Sequence, residues 1–135
     1  MSPITQTELY DPTRPDRRGN CWQTVIASIV ETPLADVPHF VQDDADHEGD
    51  FQWDWWKRTH DWLRERGLRL DYADINESPG EYVLVSGKSP RGNGSIHHVV
   101  IYLDGQMVHD PHPDRTGLLT VDDRAYAIRA IEVQP

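Results

Sequence analysis

Cysteine is nearly absent from this chain. The single one, Cys21, can form no internal disulfide, so a disulfide-stapled fold is excluded and a reducing, cytoplasmic setting is expected. No apolar run approaches the roughly 18 residues of a spanning helix, so no membrane segment is expected. Met1 to Tyr10 lacks the apolar heart of a signal peptide. Basic residues are also scarce: 13 Lys and Arg stand against 23 Asp and Glu, for a net charge of −10. That balance disfavours nucleic acid or an anionic membrane as partner and leaves a peptide or protein substrate, by charge a basic one. Repeats and low-complexity tracts are missing too, so the 135 residues read as one domain, 1–135.

What is present reads as helices first and strands after. Pro3, Pro12 and Pro15 keep the first 20 residues irregular. Gly19-Asn20 then opens a helix from Cys21 to about Glu31, with Asn20 as its expected cap and Trp22, Val25, Ile26, Ile29 and Val30 as its apolar stripe. Leu34 to Val37 can add one turn. Val41 to Asp50 is acidic and reads as a surface loop. Phe51 to Arg66 predicts a second helix, capped by Asp50 and stopped by Gly67, with Trp55, Trp56, Thr59, Trp62 and Leu63 on its core face. Beyond Gly67 the period changes to that of strands: 68–73, 81–86, 96–103, 106–109, 118–121 and 125–133, with Asp104-Gly105 as a hairpin turn. Helices followed by antiparallel strands make an α+β fold.

The chemistry concentrates at three places. Cys21 falls in the first turn of a helix, where unpaired N–H groups and the helix dipole favour a thiolate and can hold an oxyanion. His97 and His98 begin a strand after the Gly-rich loop 87–95. The returning strand runs Q-M-V-H-D-P-H-P and brings Asp110 back beside them. A carboxylate that takes one imidazole N–H leaves the other nitrogen for a thiol proton. Which histidine receives Asp110 depends on register. A strict two-residue turn sets Asp110 opposite Val99, on the face of His97; a bulge or a three-residue loop gives it to His98.

These stretches, G-N-C-W-Q-T-V-I-A-S-I, H-H-V-V-I-Y and V-H-D-P, resemble the papain-like cysteine peptidase superfamily, in particular its compact bacterial branches such as the bacteriocin-processing peptidases. The chain is also similar to a group of small phage and bacterial proteins that share Q-T, G-N-C, V-P-H-F, W-L-R-E-R-G-L, S-P-R-G, H-V-V and G-Q-M-V-H-D-P-H-P. The resemblance implies a papain-like α+β domain, with the Cys helix packed on an antiparallel sheet that carries His and Asp. It implies Cys21 as nucleophile, His98 as general base and Asp110 as the orienting acid, acting without a cofactor on an amide or isopeptide bond. The family's oxyanion glutamine would fall six residues before the cysteine, at Pro15. Gln6 is the one glutamine upstream and is the candidate donor, with Asn20 as the alternative. Trp22, His97, His109 and His112 are candidate substrate contacts.

Other readings use the same residues. His109, Asp110, His112 and Asp114 could hold zinc, but Pro111 and Pro113 interrupt them and no HExxH-type pair exists, so no metal is expected. A thiol, imidazole and carboxylate also serve acyl transfer to an amine. A binding protein that blocks a host partner can keep an idle triad. His39, His47 and His60 read as structural or solvent-facing, and 89–95 as a connector.

Overall fold

The computed structural model describes residues 1–14, 16–46, 54–92 and 96–131, and of 54, 123 and 124 the backbone alone. The expected cap at Asp50, the helix start at Phe51, His47, and the glutamine-equivalent Pro15 lie outside the described residues, as do 93–95 of the Gly-rich loop. The fold is α+β. Three α-helices come first: α1 (Cys21–Ile29), α2 (Phe40–Asp46) and α3 (Asp54–Arg64), with a 3₁₀ turn at Leu34–Asp36. Five strands follow: β1 (Leu68–Ala73), β2 (Tyr82–Lys88), β3 (His97–Leu103), β4 (Gln106–His109) and β5 (Thr120–Ala130). They form one antiparallel sheet in the order β1-β5-β2-β3-β4. No helix among the described residues is long and apolar enough to cross a membrane.

Helix α1 is rich in β-branched residues, which are weak helix formers. Burial overrides that: every residue from Trp22 to Ser28 is buried. Thr24 and Ser28 avoid orphaned hydroxyls by donating to the carbonyls of Asn20 and Thr24 at 2.7 and 2.8 Å. The helix ends where Glu31 turns left-handed (φ 53°), ahead of Pro33. Its apolar side meets Leu63, Leu84, Val99 and Ile101 in the main core. Trp22 sits in that core against Trp55 and Trp56, and its indole N–H donates to Thr59 Oγ1 at 3.0 Å. Val83, Val85, Val100, Ala125 and Ala127 form a second, smaller cluster.

Three expectations are corrected. The acidic stretch read as a loop from Val41 begins as helix α2. Its buried side is partly polar and so carries no hydrophobic period: Gln42 accepts from the Arg18 N–H at 2.7 Å and donates to Asp16 O and Asp46 Oδ1, while Phe40 packs on Trp62. His39 caps this helix, its Nδ1 accepting from the Gln42 N–H at 3.2 Å. The two strands expected at 118–121 and 125–133 are one, β5. Between Val85↔Ala125 and Gly87↔Val121, β5 spends three residues where β2 spends one, so the polar stretch 122–124 is accommodated as a bulge. Asn20 makes no side-chain cap on α1. Its Oδ1 instead accepts from the backbone N–H groups of Thr7 and Glu8 at 3.1 and 2.9 Å.

The β3–β4 hairpin decides where Asp110 goes. Asp104 and Gly105 both have positive φ (50° and 79°), as a two-residue turn with right-handed strand twist requires. Leu103 pairs with Gln106 and Tyr102 with Met107, but Ile101 pairs with His109. Val108 is therefore an extra residue. One inserted residue reverses side-chain parity beyond it, so Asp110 falls on the side of His98 and away from His97.

Candidate active site

Cys21 opens α1 and is partly exposed, with its side bordering the main core. Because Asn20 does not cap the helix, the first-turn N–H groups are left without a side-chain acceptor. The His98 ring is almost wholly buried, its side chain 5% exposed, and its Nε2–H donates to Asp110 Oδ1 at 2.7 Å. The Cys21 side chain lies close enough to act on the same ring. With Nε2 given to Asp110, Nδ1 is the nitrogen left for sulfur. Burial pulls the imidazole down. The Asp110 hydrogen bond, then the hydrogen bond and charge of Cys21, outweigh it and push His98 up to about 9.

Asp110 is held as an anion. Its Oδ1 also accepts from the His112 N–H at 2.9 Å and its Oδ2 from the Gly117 N–H at 2.7 Å. Burial raises its carboxyl, but the His98 bond and these two backbone donors together hold it below the ordinary carboxylate range. The loop D-P-H-P-D-R-T-G is thus wound around its own first side chain. Gly117 (φ 77°) closes it, and the Arg115 guanidinium donates to the Asp110 carbonyl. Sequence reasoning missed Gly117, Arg115 and the His112 backbone. The available signal was the density of Pro, Asp and Gly directly after the acid, which marks a tight turn.

The remaining predicted site residues divide. Gln6 is buried (7% exposed), and its Nε2 donates to the Glu8 carbonyl at 2.9 Å. That carbonyl also accepts from the Asn20 N–H at 3.0 Å, so the Gln6 amide is two hydrogen bonds from the residue that precedes Cys21. Among the described residues the buried Gln6 Oε1 has no hydrogen-bond partner. His112 lies beside the pair: its ring stands edge-on to His98 at 6.2 Å, and its Nδ1 accepts from the Asp114 N–H at 3.1 Å. Burial, then the Arg91 charge, pushes His112 below its ordinary value. Arg91 is itself held by Asp114 at 2.8 Å.

Three candidates face elsewhere. Trp22 is core. His109 spends its Nε2–H on the Ile4 carbonyl at 2.7 Å. His97 is 68% exposed and looks toward Asp122, 3.7 Å away, whose carboxylate also accepts from Ser86 Oγ at 3.1 Å. His39 Nε2–H donates to the Arg18 carbonyl, a structural role. Among the described residues no three His, Cys, Asp or Glu side chains gather to hold a metal ion. A thiol near an imidazole that is held by a fixed carboxylate can exchange a proton with it and generate a thiolate nucleophile. Comparisons with protein families, with characterised proteins and with solved structures find no match for the chain.

Proposed function

We propose that the chain is a thiol hydrolase with a papain-like arrangement, cleaving an amide or isopeptide bond in a peptide or protein substrate. The observation that carries this reading is the buried His98 ring, bonded to Asp110 and close enough to Cys21 for the thiol to act on its charge. In a purely structural role, burial would leave a histidine neutral; here the ring is biased toward the imidazolium, which stabilises a thiolate beside it.

Each step has a residue. His98 takes the Cys21 proton. The sulfur attacks the carbonyl carbon and the C=O electrons move to oxygen. The uncapped N–H groups of α1 and the Gln6 Nε2 amide stabilise that oxyanion. The C–N bond then breaks, and His98 gives its proton to the leaving nitrogen. Water adds to the thioester with His98 as base, the C–S bond breaks, and the acid is released with Cys21 restored. Asp110 stays ionised throughout and holds the ring. The acidic surface, −10 overall, favours a basic substrate by charge.

Iodoacetamide alkylation of Cys21 and the p-nitrophenolate burst with p-nitrophenyl acetate test this directly. At pH 7 wild type reacts in both. His98→Ala lowers both by roughly 100-fold, while His97→Ala stays within about twofold, since His97 lies outside the pair. Equal loss in the two histidine variants, or none in either, sinks the proposal. Adding a primary amine to the burst assay reads transfer against hydrolysis.

A further inference from the structure

The segment that carries Gln6 is bonded at both ends. Three consecutive residues are gripped by the end of β4 and the connection to β5: the Ile4 carbonyl by His109 Nε2–H, Thr5 Oγ1 by the Arg115 guanidinium, and the Gln6 N–H by the Pro111 carbonyl at 2.9 Å. The next two, Thr7 and Glu8, are gripped by Asn20 at the start of α1. Residues 4–8 therefore bridge the loop of Asp110 and the helix of Cys21, with Gln6 in the middle.

Among the described residues, Arg115 is the one side chain seen to hydrogen-bond both the bridge and the loop that follows Asp110. It donates to the Asp110 carbonyl and to Thr5 Oγ1 from two different nitrogens of one planar fork. It does so from a left-handed backbone conformation (φ 56°), which is costly for a residue other than glycine. Its backbone N–H closes a turn on the His112 carbonyl at 3.1 Å.

We propose that Arg115 is a positioning residue that sets Gln6 beside the Cys21 helix start by tying Thr5 to the Asp110 loop. The Gln6 backbone is held by Pro111, but among the described residues its side-chain amide holds only the Glu8 carbonyl, within the same segment. Without the Arg115 tie, residues 4–6 keep two of their three grips and the amide drifts from the point where an oxyanion forms. An oxyanion donor displaced by a fraction of an ångström loses much of its effect. The acid and base are untouched by that drift, because Asp110 is fixed by the backbone of His112 and Gly117.

This inference rests on the hydrolase reading, and two probes separate them. Iodoacetamide reacts by displacement and forms no oxyanion, so it reports the thiolate alone. p-Nitrophenyl acetate passes through a tetrahedral oxyanion: the S–C bond forms, the C–O bond breaks, and p-nitrophenolate leaves with the electron pair. Arg115→Gln and Thr5→Val are each measured with Gln6 present and with Gln6→Ala. With Gln6 present, each variant is expected to lower acylation about tenfold and to leave alkylation within about twofold. On the Gln6→Ala background neither lowers acylation further. Arg115→Lys, which keeps the charge and one of the two contacts, recovers part of the loss. The inference is overturned if acylation is unchanged, if the loss persists undiminished without Gln6, or if alkylation falls in parallel. Thr5 is exposed, so Thr5→Val decides the question even where Arg115→Gln fails to fold. A wild type that alkylates slowly and is not acylated at all instead defeats the hydrolase reading.

Discussion

Two histidine–aspartate pairs sit side by side at the start of β3, and they differ in almost everything but composition. His97 and Asp122 are exposed, 3.7 Å apart, and share their carboxylate with Ser86. His98 and Asp110 are buried, 2.7 Å apart, and the carboxylate takes two backbone N–H groups besides. In water the first pair gains little from its charges. In the interior the second leaves no solvent to compete, so the bond and its neighbours decide the protonation state. Pairing a histidine with an aspartate is thus not what makes a site. Burial, a fixed carboxylate and a nearby thiol set the candidate site apart.

The strongest way to break the contrast is to insert one alanine between His109 and Asp110. The insertion carries Asp110 one residue further along, from opposite Val100 to opposite Val99, and so turns it toward the His97 side. Alkylation of Cys21 at pH 7 is expected to fall roughly 100-fold, as when the base is lost. Circular dichroism would confirm that the sheet is retained. Unchanged reactivity in a folded insertion variant would show that register does not assign the acid.

Asp110→Asn is the next step down. The amide can still accept from one backbone donor but cannot hold an imidazolium, so reactivity is expected to fall about 10- to 30-fold. The pH dependence of stability sharpens the same comparison. A histidine raised to about 9 in the folded chain, against about 6.5 unfolded, stabilises fully below pH 6.5 and loses that contribution as pH rises through 9. The melting-temperature difference between wild type and His98→Gln should therefore be flat just below pH 6.5 and shrink from there to pH 9. Asp110, held low, contributes in the opposite sense: present above the ordinary carboxylate value and lost as pH falls through its folded one. At the bottom of the scale, Asp122→Asn should change stability by less than about 0.5 kcal/mol in chemical denaturation and leave alkylation alone.

The residues of the candidate site were more legible than the ties that place them. Cys21 at a helix start, the two histidines at a strand start and Asp110 on the return were readable because each depends on local pattern. The Asp104-Gly105 turn was readable for the same reason. The bulge at Val108 was not, since an extra residue leaves no mark on an alternating stretch and register is fixed by pairing partners. Helix α2 escaped because Gln42, a polar residue, fills its buried side. Gln6 could be named but not placed: its position depends on bonds to 109, 111 and 115, more than a hundred residues away. The cap expected of Asn20 failed because the backbone N–H groups of Thr7 and Glu8, in the N-terminal segment, took the same oxygen.

The most direct test of the buried pair is an NMR titration of the His98 ring with ¹⁵N-labelled histidine, in wild type and in Cys21→Ala. With sulfur and carboxylate both acting on the ring, wild type titrates near 9 and Cys21→Ala titrates lower. A His98 midpoint near the free value of about 6.5, the same with and without the sulfur, contradicts the arrangement from which the thiol chemistry is derived.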